Sequence, residues 1–224
     1  MTAVFVIAAV AGYFLGALPF GWLVARAHGV DIFKEGSGNP GATNVKRVLG
    51  EKFGARGKRA GNLVFALDAL KGALAAGWPR VLRFHEHLVG ADGRMLRHFD
   101  TAEVWHELAL VGLIAAVLGH SFSVFTGFKG GKGVATAAGG VLVMTPTACL
   151  IGAAVWVVTF YTTRYVSLGS ILASVVVPAA GWILGNPLPV NIVVTLLGAF
   201  VIFRHRENIR RLLAGTESRF VRKS

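Results

Sequence analysis

The chain has 224 residues, 54% of them hydrophobic and only 15% charged, with a mean hydropathy of +0.61; soluble domains carry nearer a quarter charged residues, so an ordinary globular fold is excluded. A net charge of +12 would suggest nucleic acid in a soluble protein, but apolar runs of about 18 or more residues recur, each able to cross roughly 30 Å of hydrocarbon, and in a membrane protein basic residues crowd the cytoplasmic loops. The single cysteine, Cys149, lies in an apolar run, which excludes a disulfide framework and a Cys/His zinc spacing.

The expected architecture is all-α: a polytopic membrane helix bundle forming one domain, 1-224. The first span is expected over Ala3 to Ala25. It lacks a polar n-region and an Ala-x-Ala-like cleavage site, so it reads as a retained span. Gly12, Gly16 and Gly21 suggest close packing against a neighbour. A polar segment, Arg26 to Arg59, follows and contains Gly36-Ser-Gly-Asn-Pro-Gly-Ala-Thr-Asn-Val-Lys-Arg47. Its first half is rich in Gly, Asn and Pro and is expected to be turn or loop, with Thr43 or Asn44 capping a short helix through Leu49.

The second span, Gly61 to Val81, holds Asp68 and Lys71 at i, i+3 spacing. Each charge alone would cost on the order of 3 kcal/mol at a helix centre, so an ion pair facing the bundle interior is the economical arrangement. Contact of that pair with a substrate stays open. Arg83 to Glu103 is polar, carries His85, His87 and His98, and is expected to be a solvated outer loop or surface helix. The third span runs from Val104 to Leu118.

A basic, glycine-rich loop comes next: Gly119-His-Ser-Phe-Ser-Val-Phe-Thr-Gly-Phe-Lys-Gly-Gly-Lys-Gly-Val-Ala-Thr136. Glycines let backbone N–H groups approach a ligand closely, and Lys129 and Lys132 add two ammonium groups, so Lys129, Gly130, Gly131, Lys132 and Gly133 form a candidate phosphate cradle ahead of a helix N-terminus. It is not a Walker A loop, because Thr126 and Gly133 stand where Gly and Ser or Thr are required. The plain alternative is a flexible basic connector between spans.

Val134 to Thr163 is long enough for one helix or for two broken at Thr145-Pro146, since proline suits a helix start and not its interior. Val166 to Leu184 and Val190 to Phe203 complete the apolar runs, and a basic tail begins at Arg204. With two helices around Pro146 the count is seven transmembrane helices, and eighteen of the 23 Lys and Arg fall on one side of the membrane. An unbroken helix would split them almost evenly. The positive-inside rule therefore expects the break, the N-terminus outside and the C-terminus cytoplasmic. The Ser-Gly-Asn segment, the Lys-Gly-Gly-Lys loop and the tail His205-Arg-Glu-Asn208 would then share the cytoplasmic face and build one site.

Those three segments, in this order and separation, resemble the acyl-phosphate-dependent glycerol-3-phosphate acyltransferases of bacteria, and Leu67-Asp-Ala-Leu-Lys-Gly72 is similar to that family's second span. The resemblance covers nearly the whole chain; Arg83–Glu103 is its least family-like part. It implies transfer of a fatty acyl group from acyl phosphate to the 1-hydroxyl of glycerol 3-phosphate, giving 1-acylglycerol 3-phosphate (lysophosphatidate) and phosphate in the first acylation of phospholipid biosynthesis. It implies no metal and no other cofactor, and a place in the bacterial inner membrane with the site at the cytoplasmic face. The lipid bilayer and both phosphorylated substrates are the expected partners, the enzyme that makes acyl phosphate is a candidate partner, and nucleic acid is not one.

Both substrates carry phosphate, so the site must hold two anions. Ser37, Thr43 and Asn44 offer neutral hydrogen bonds, and Gly38 and Asn39 lie between them in the same loop. Arg47 offers a planar fork that matches phosphate oxygens. By resemblance the Lys-Gly-Gly-Lys loop binds glycerol 3-phosphate, Ser37 and Arg47 serve the catalytic end and the acyl phosphate, and His205 and Asn208 complete the site. Phosphate leaves readily from a mixed anhydride, so positioning and charge neutralisation can supply most of the acceleration. Three routes for the hydroxyl proton stay open: His205 as general base, a bound phosphate oxygen as base, and Ser37 as an acyl-enzyme nucleophile, the last disfavoured because no acidic residue follows His205 in triad order. Glu207 is expected to orient Arg or His partners. Phe122, Phe125 and Phe128 are either acyl-chain contacts or ordinary interfacial aromatics. A transporter for a phosphorylated solute and a lipid-binding scaffold are the rival functions.

Overall fold

Proline and glycine set most helix boundaries in the computed structural model, which describes residues 2–89 and 102–220. The regular structure among these residues is helical throughout: α1 Thr2–Ala17, α2 Phe20–Ala27, α3 Ala42–Val89, α4 Ala102–Ser121, α5 Val134–Met144, α6 Pro146–Thr163, α7 Val166–Ile183, α8 Leu188–Arg204 and α9 Arg206–Leu213, with a single 3-10 turn at Val124–Thr126. The chain divides into two compact units, Met1–Met144 and Thr145–Ser224.

In the first unit α4 packs on α1 and α3, and α5 packs on α3. Small residues make these approaches possible. A Cβ on Gly12 would overlap the backbone of Gly112, one on Gly16 that of Ala116, and one on Gly139 that of Ala69. This is the close packing expected of Gly12 and Gly16, with each backbone filling the space a side chain would need. Outward, α1 and α3 present large apolar side chains such as Ile7, Val10, Phe65 and Leu70. They suit a hydrocarbon solvent, in which an exposed Leu costs nothing.

Two features of this unit differ from expectation. The first span is broken at Leu18-Pro19 into α1 and α2, because proline lacks the N–H that would continue the helix and its ring crowds the preceding turn. The polar segment is more helical than its composition suggests: α3 begins at Ala42, so Thr43 and Asn44 lie in its first turn and neither caps it. The helix is interrupted at Gly54, whose φ of 58° and ψ of −130° are open only to glycine. Beyond it the chain doubles back: a Cβ on Gly57 would meet the Leu49 carbonyl and one on Gly61 would meet Lys46. The short arm 42–53 thus lies along the start of the long arm. Under it sit Ala25, Val30, Ile32, Val45, Val48, Leu49 and Val64, all buried. Burial stabilises each larger aliphatic group among them by about 1.5–3 kcal/mol, and the cluster holds the Ser-Gly-Asn loop in place. At its far end α3 runs on to Val89, past the expected start of the outer loop; residues 90–101, with His98, lie outside the described residues.

The second unit opens as the sequence predicts. Thr145 separates α5 from α6, and Pro146 occupies the first position of α6. α7 packs on both α6 and α8, with Gly152 against Val177 and Gly198 against the Ser174 carbonyl. Trp156 Nε1 donates to Ser170 Oγ at 3.2 Å across the first of these seams. The basic tail is not extended: α9 leaves α8 at a bend of 56°, and the chain after it returns to the C-terminal end of α6, where the Phe220 N–H donates to the Arg164 carbonyl at 2.9 Å.

Four helical stretches are long and apolar enough to cross a membrane: Thr2–Ala27, Val104–Thr126, Pro146–Thr163 and Val166–Ile183; the bent pair α8 and α9 makes a fifth, and α5 is a shorter apolar helix. The protein is an all-helical integral membrane protein.

Candidate active site

The break at Leu18-Pro19 creates the floor of the site. Where the helix stops, two carbonyls turn to side chains: Ala17 O accepts from Ser123 Oγ at 2.6 Å, and Leu18 O accepts from Lys71 Nζ at 3.0 Å. Lys71 reaches that carbonyl from α3 while lying 2.8 Å from Asp68 Oδ1, one turn earlier. The same carboxylate oxygen takes His120 Nδ1 at 3.4 Å. Asp68 and Lys71 are each 3% exposed and His120 is 9% exposed. The ion pair expected from their spacing is present and faces inward. Charges this deeply buried are tolerated only when each is matched, and here one carboxylate serves two donors.

His120 carries the glycine loop. Its carbonyl accepts the Gly131 N–H at 3.1 Å, and its ring lies where a Gly131 Cβ would have to go. Thr126 Oγ1 pins the near side of the loop by donating to the Lys129 carbonyl at 2.7 Å. On the far side Asn39 Nδ2 donates to the Gly130 carbonyl at 3.3 Å. This bond joins the Ser-Gly-Asn segment to the Lys-Gly-Gly-Lys loop, 91 residues later in the chain. Between them lies a small cavity of ≈ 20 Å³ lined by Pro40, Asp68, Lys71, His120, Lys129, Gly130 and their neighbours. That volume admits about one water molecule, so a larger ligand must open it or bind at its mouth.

The Ser-Gly-Asn loop is built on Asn44. Buried at 4% exposure, this side chain accepts the Ser37 N–H at 3.0 Å and donates to the Glu35 carbonyl at 3.0 Å. Both ends of its amide serve the loop, and Ser37 itself is exposed. Arg47, half-buried one turn further on, makes no side-chain hydrogen bond or ion pair among the described residues. Lys129 is exposed and Lys132 half-buried on the loop. Phe122, Phe125 and Phe128 are all exposed, and the Phe125 ring stands 6.3 Å from that of Phe14.

His205 and Asn208 belong to the second unit. His205 sits at the bend between α8 and α9, 3% exposed, with Nδ1 2.7 Å from the Val201 carbonyl. A carbonyl only accepts, so Nδ1 carries the hydrogen, and in the neutral ring Nε2 carries the lone pair. The helix-end role that a lone interfacial histidine would have is therefore met by Nδ1. Asn208, on α9, is 6% exposed and gives Nδ2 to Glu217 Oε1 at 2.7 Å. Glu207 is exposed and holds Arg210 at 3.0 Å, as expected of an orienting acid.

Sequence reasoning left His120 and Glu217 out of the site. His120 carried a signal, standing in the loop motif and one helix away from a buried acid. Glu217 carried none, as one acidic residue in a basic tail.

A family model described as glycerol-3-phosphate acyltransferase matches residues 6–215. The chain is 42% identical over 220 residues to a glycerol-3-phosphate acyltransferase of Aquifex aeolicus, covering 98% of this chain and 100% of that protein. It is 43% identical over 209 residues to one of Geobacter sulfurreducens, covering 93% of each. Its fold is similar to crystal structures of PlsY (YgiH), an integral membrane glycerol 3-phosphate acyltransferase. The glycerol 3-phosphate form gives a TM-score of 0.79 at 39% identity over 97% of this chain and 96% of the other. The lysophosphatidic acid form gives 0.76 at 40% identity over 97% and 95%.

Proposed function

Because the chain belongs to the glycerol-3-phosphate acyltransferase family, we propose that it transfers a fatty acyl group from acyl phosphate to the 1-hydroxyl of sn-glycerol 3-phosphate. The hydroxyl oxygen bonds to the acyl carbon, the bond from that carbon to the phosphate oxygen breaks, and inorganic phosphate leaves with the electron pair. The products are lysophosphatidate and phosphate. The observation that supports this reading best is the Asn39 to Gly130 hydrogen bond, which brings the Ser-Gly-Asn loop and the Lys-Gly-Gly-Lys loop to one basic rim.

On this reading Lys129, Gly130, Gly131, Lys132 and Gly133 hold glycerol 3-phosphate through two ammonium charges and backbone donors. Ser37 and Arg47 act at the acyl phosphate, with Gly38, Asn39 and Thr43 beside them and Asn44 holding their loop. Arg47, with no anion paired to it among the described residues, can turn its fork on a phosphoryl group without first breaking such a pair. His205 and Asn208 complete the catalytic set. His205 Nε2 has the lone pair a general base requires; a bound phosphate oxygen is the other acceptor for the hydroxyl proton. Either way the step relies on placing two anions and their reacting atoms.

The same reading takes residues 1-224 as one enzyme of seven membrane crossings in the bacterial inner membrane. The N-terminus lies outside, and the C-terminus and all three motifs face the cytoplasm. The excess of Lys and Arg in those segments supports it. Cysteine labelling at residue 37 and at the C-terminus from the two sides of the membrane tests it, and opposite sidedness defeats it. For the reaction, purified protein given acyl phosphate and glycerol 3-phosphate should release phosphate and form lysophosphatidate in equal amounts. Solute uptake into vesicles without product would establish a transporter instead.

A further inference from the structure

The cavity beneath the glycine loop is too small for a phosphate but has room for one hydroxyl group. Its ≈ 20 Å³ admits about one water molecule, and an alcohol oxygen needs about the same space. Two of the side chains on its wall, His120 and Lys71, keep hydrogen-bonding positions to spare. His120 turns Nδ1 to Asp68 Oδ1 at 3.4 Å. A carboxylate only accepts, so Nδ1 carries the hydrogen and, in the neutral ring, Nε2 carries a lone pair. Nε2 is the ring atom nearest the place a Gly131 Cβ would take, and it makes no hydrogen bond among the described residues. The Lys71 ammonium has three hydrogens. One goes to the Leu18 carbonyl at 3.0 Å and one to Asp68 Oδ1 at 2.8 Å. The third has no hydrogen-bond acceptor among the described residues.

One acceptor and one donor around a space of that size match an alcohol. A hydroxyl gives one hydrogen and accepts another, so it satisfies both groups at once. A methylene there would leave both buried and unpaired. A phosphoryl oxygen only accepts, so it would face the Nε2 lone pair and the Asp68 charge. Glycerol 3-phosphate brings two hydroxyls. The 1-hydroxyl must stand beside the acyl carbon, where a fatty chain also needs room, and this cavity gives none. The 2-hydroxyl sits on the carbon next to the phosphate-bearing one. It can enter the cavity while the phosphate stays at the mouth, where Lys129 and Gly130 form part of the wall.

We propose that His120 Nε2 and Lys71 Nζ bind the 2-hydroxyl of glycerol 3-phosphate, and that Asp68, which holds both, is their positioning residue. This rests on the reading of the Lys-Gly-Gly-Lys loop as the glycerol 3-phosphate cradle. With the phosphate and the 2-hydroxyl each held, the 1-hydroxyl has a single short arc in which to meet the acyl carbon.

The test compares two acceptors on the full chain in detergent, with acyl phosphate as donor and thermal unfolding as a control for folding. One is glycerol 3-phosphate. The other is 3-hydroxypropyl phosphate, which lacks only the 2-hydroxyl and keeps the primary hydroxyl that is acylated. Wild type should use the second with a kcat/KM about a hundredfold lower, because it leaves two buried groups unpaired. H120F keeps a ring against Gly131 and loses the acceptor. It should lose about tenfold or more on glycerol 3-phosphate and stay within about threefold on the analogue, so the preference shrinks. A purely structural role for His120 lowers both by the same factor and keeps the preference, and that result overturns the proposal. If H120F does not fold, H120N decides by the same ratio, since its shorter amide can still meet Asp68 but does not reach the position of Nε2. A wild type that acylates neither compound defeats the functional reading itself, whereas one that acylates both equally well defeats the proposal alone.

Discussion

Asp68 and His120 meet on two different helices, Oδ1 to Nδ1 at 3.4 Å, and the same carboxylate oxygen holds the Lys71 ammonium at 2.8 Å. The glycine loop hangs from the His120 carbonyl, so Asp68 supports a loop it does not touch.

Asp68→Ala leaves a buried ammonium with the Leu18 carbonyl and the face of the Phe20 ring but no counter-charge from its own helix turn. Breaking a buried pair from one side costs roughly 3–5 kcal/mol, and thermal unfolding in detergent should show that loss. The double variant Asp68→Leu with Lys71→Met removes both charges and should recover most of it. A single variant as stable as wild type would show that the pair is solvated after all.

Gly131→Ala places a methyl group against the His120 ring. The ring is anchored to Asp68 and cannot swing away cheaply, so the loop must move instead. The KM for glycerol 3-phosphate should rise about tenfold or more, since binding energy from a displaced cradle is lost. Gly127→Ala is the control: that residue has φ 60° but open space around it, so its effect should appear in stability more than in KM.

Arg47→Lys keeps the charge and loses the planar fork. A drop in kcat/KM of about tenfold or more is expected, with little change in unfolding temperature. An unaltered kcat/KM would remove Arg47 from the site.

His205→Gln removes the ring nitrogen that could accept the hydroxyl proton and keeps a polar group of similar reach. If Nε2 is the base, turnover falls sharply and the acid limb of the pH–rate profile disappears. Retained turnover on an unchanged profile assigns the proton to a substrate phosphate oxygen and leaves His205 a binding role.

Glu217 makes a prediction for acid stability. Burial alone pushes its carboxyl up, but the hydrogen bonds from Ser167, Asn208 and Arg211, with the charge of Arg211, hold its folded pKa below the unfolded value of 4.5, so the folded state favours the carboxylate. Its contribution is complete above that unfolded value and is lost as the pH falls through the lower folded value. Unfolding measured from pH 3 to 7 should show wild type losing more stability on the acid side than E217Q; parallel curves would mean the carboxylate is unperturbed.

How far the fold could be read from the residues depended on the kind of signal. The break at Pro146 was legible because two physical rules, proline at a helix start and basic residues on one side, converged on it. The break at Pro19 obeys the first rule equally well, but nothing in the charge pattern marks it, and one apolar run hides two helices. The hairpin at Gly54 was hidden by composition: a short helix through Leu49 was expected, but nothing in the Lys, Arg and Gly that follow marks its run to residue 53 or the turn-back of the long arm over the buried Val45, Val48 and Leu49. In the site, the Asp68 and Lys71 pair could be read from its spacing. Its link to His120 could not, because contact between α3 and α4 is written in Ala75 and Gly112, not in the charged residues. Asn44 was expected to donate to a ligand, but its side chain closes the loop around Ser37, a role that only the three-dimensional turn reveals.

The irregularity at Leu18-Pro19 has a lesson for anyone who would improve this protein. Pro19→Ala would satisfy every propensity scale and invite α1 and α2 to fuse. A continuous helix would call the Ala17 and Leu18 carbonyls back into its own ladder, leaving Ser123 and Lys71 to find other acceptors. The more perfect helix would lose two anchors, and a stabilisation campaign guided by regularity alone would discard the floor of the candidate site.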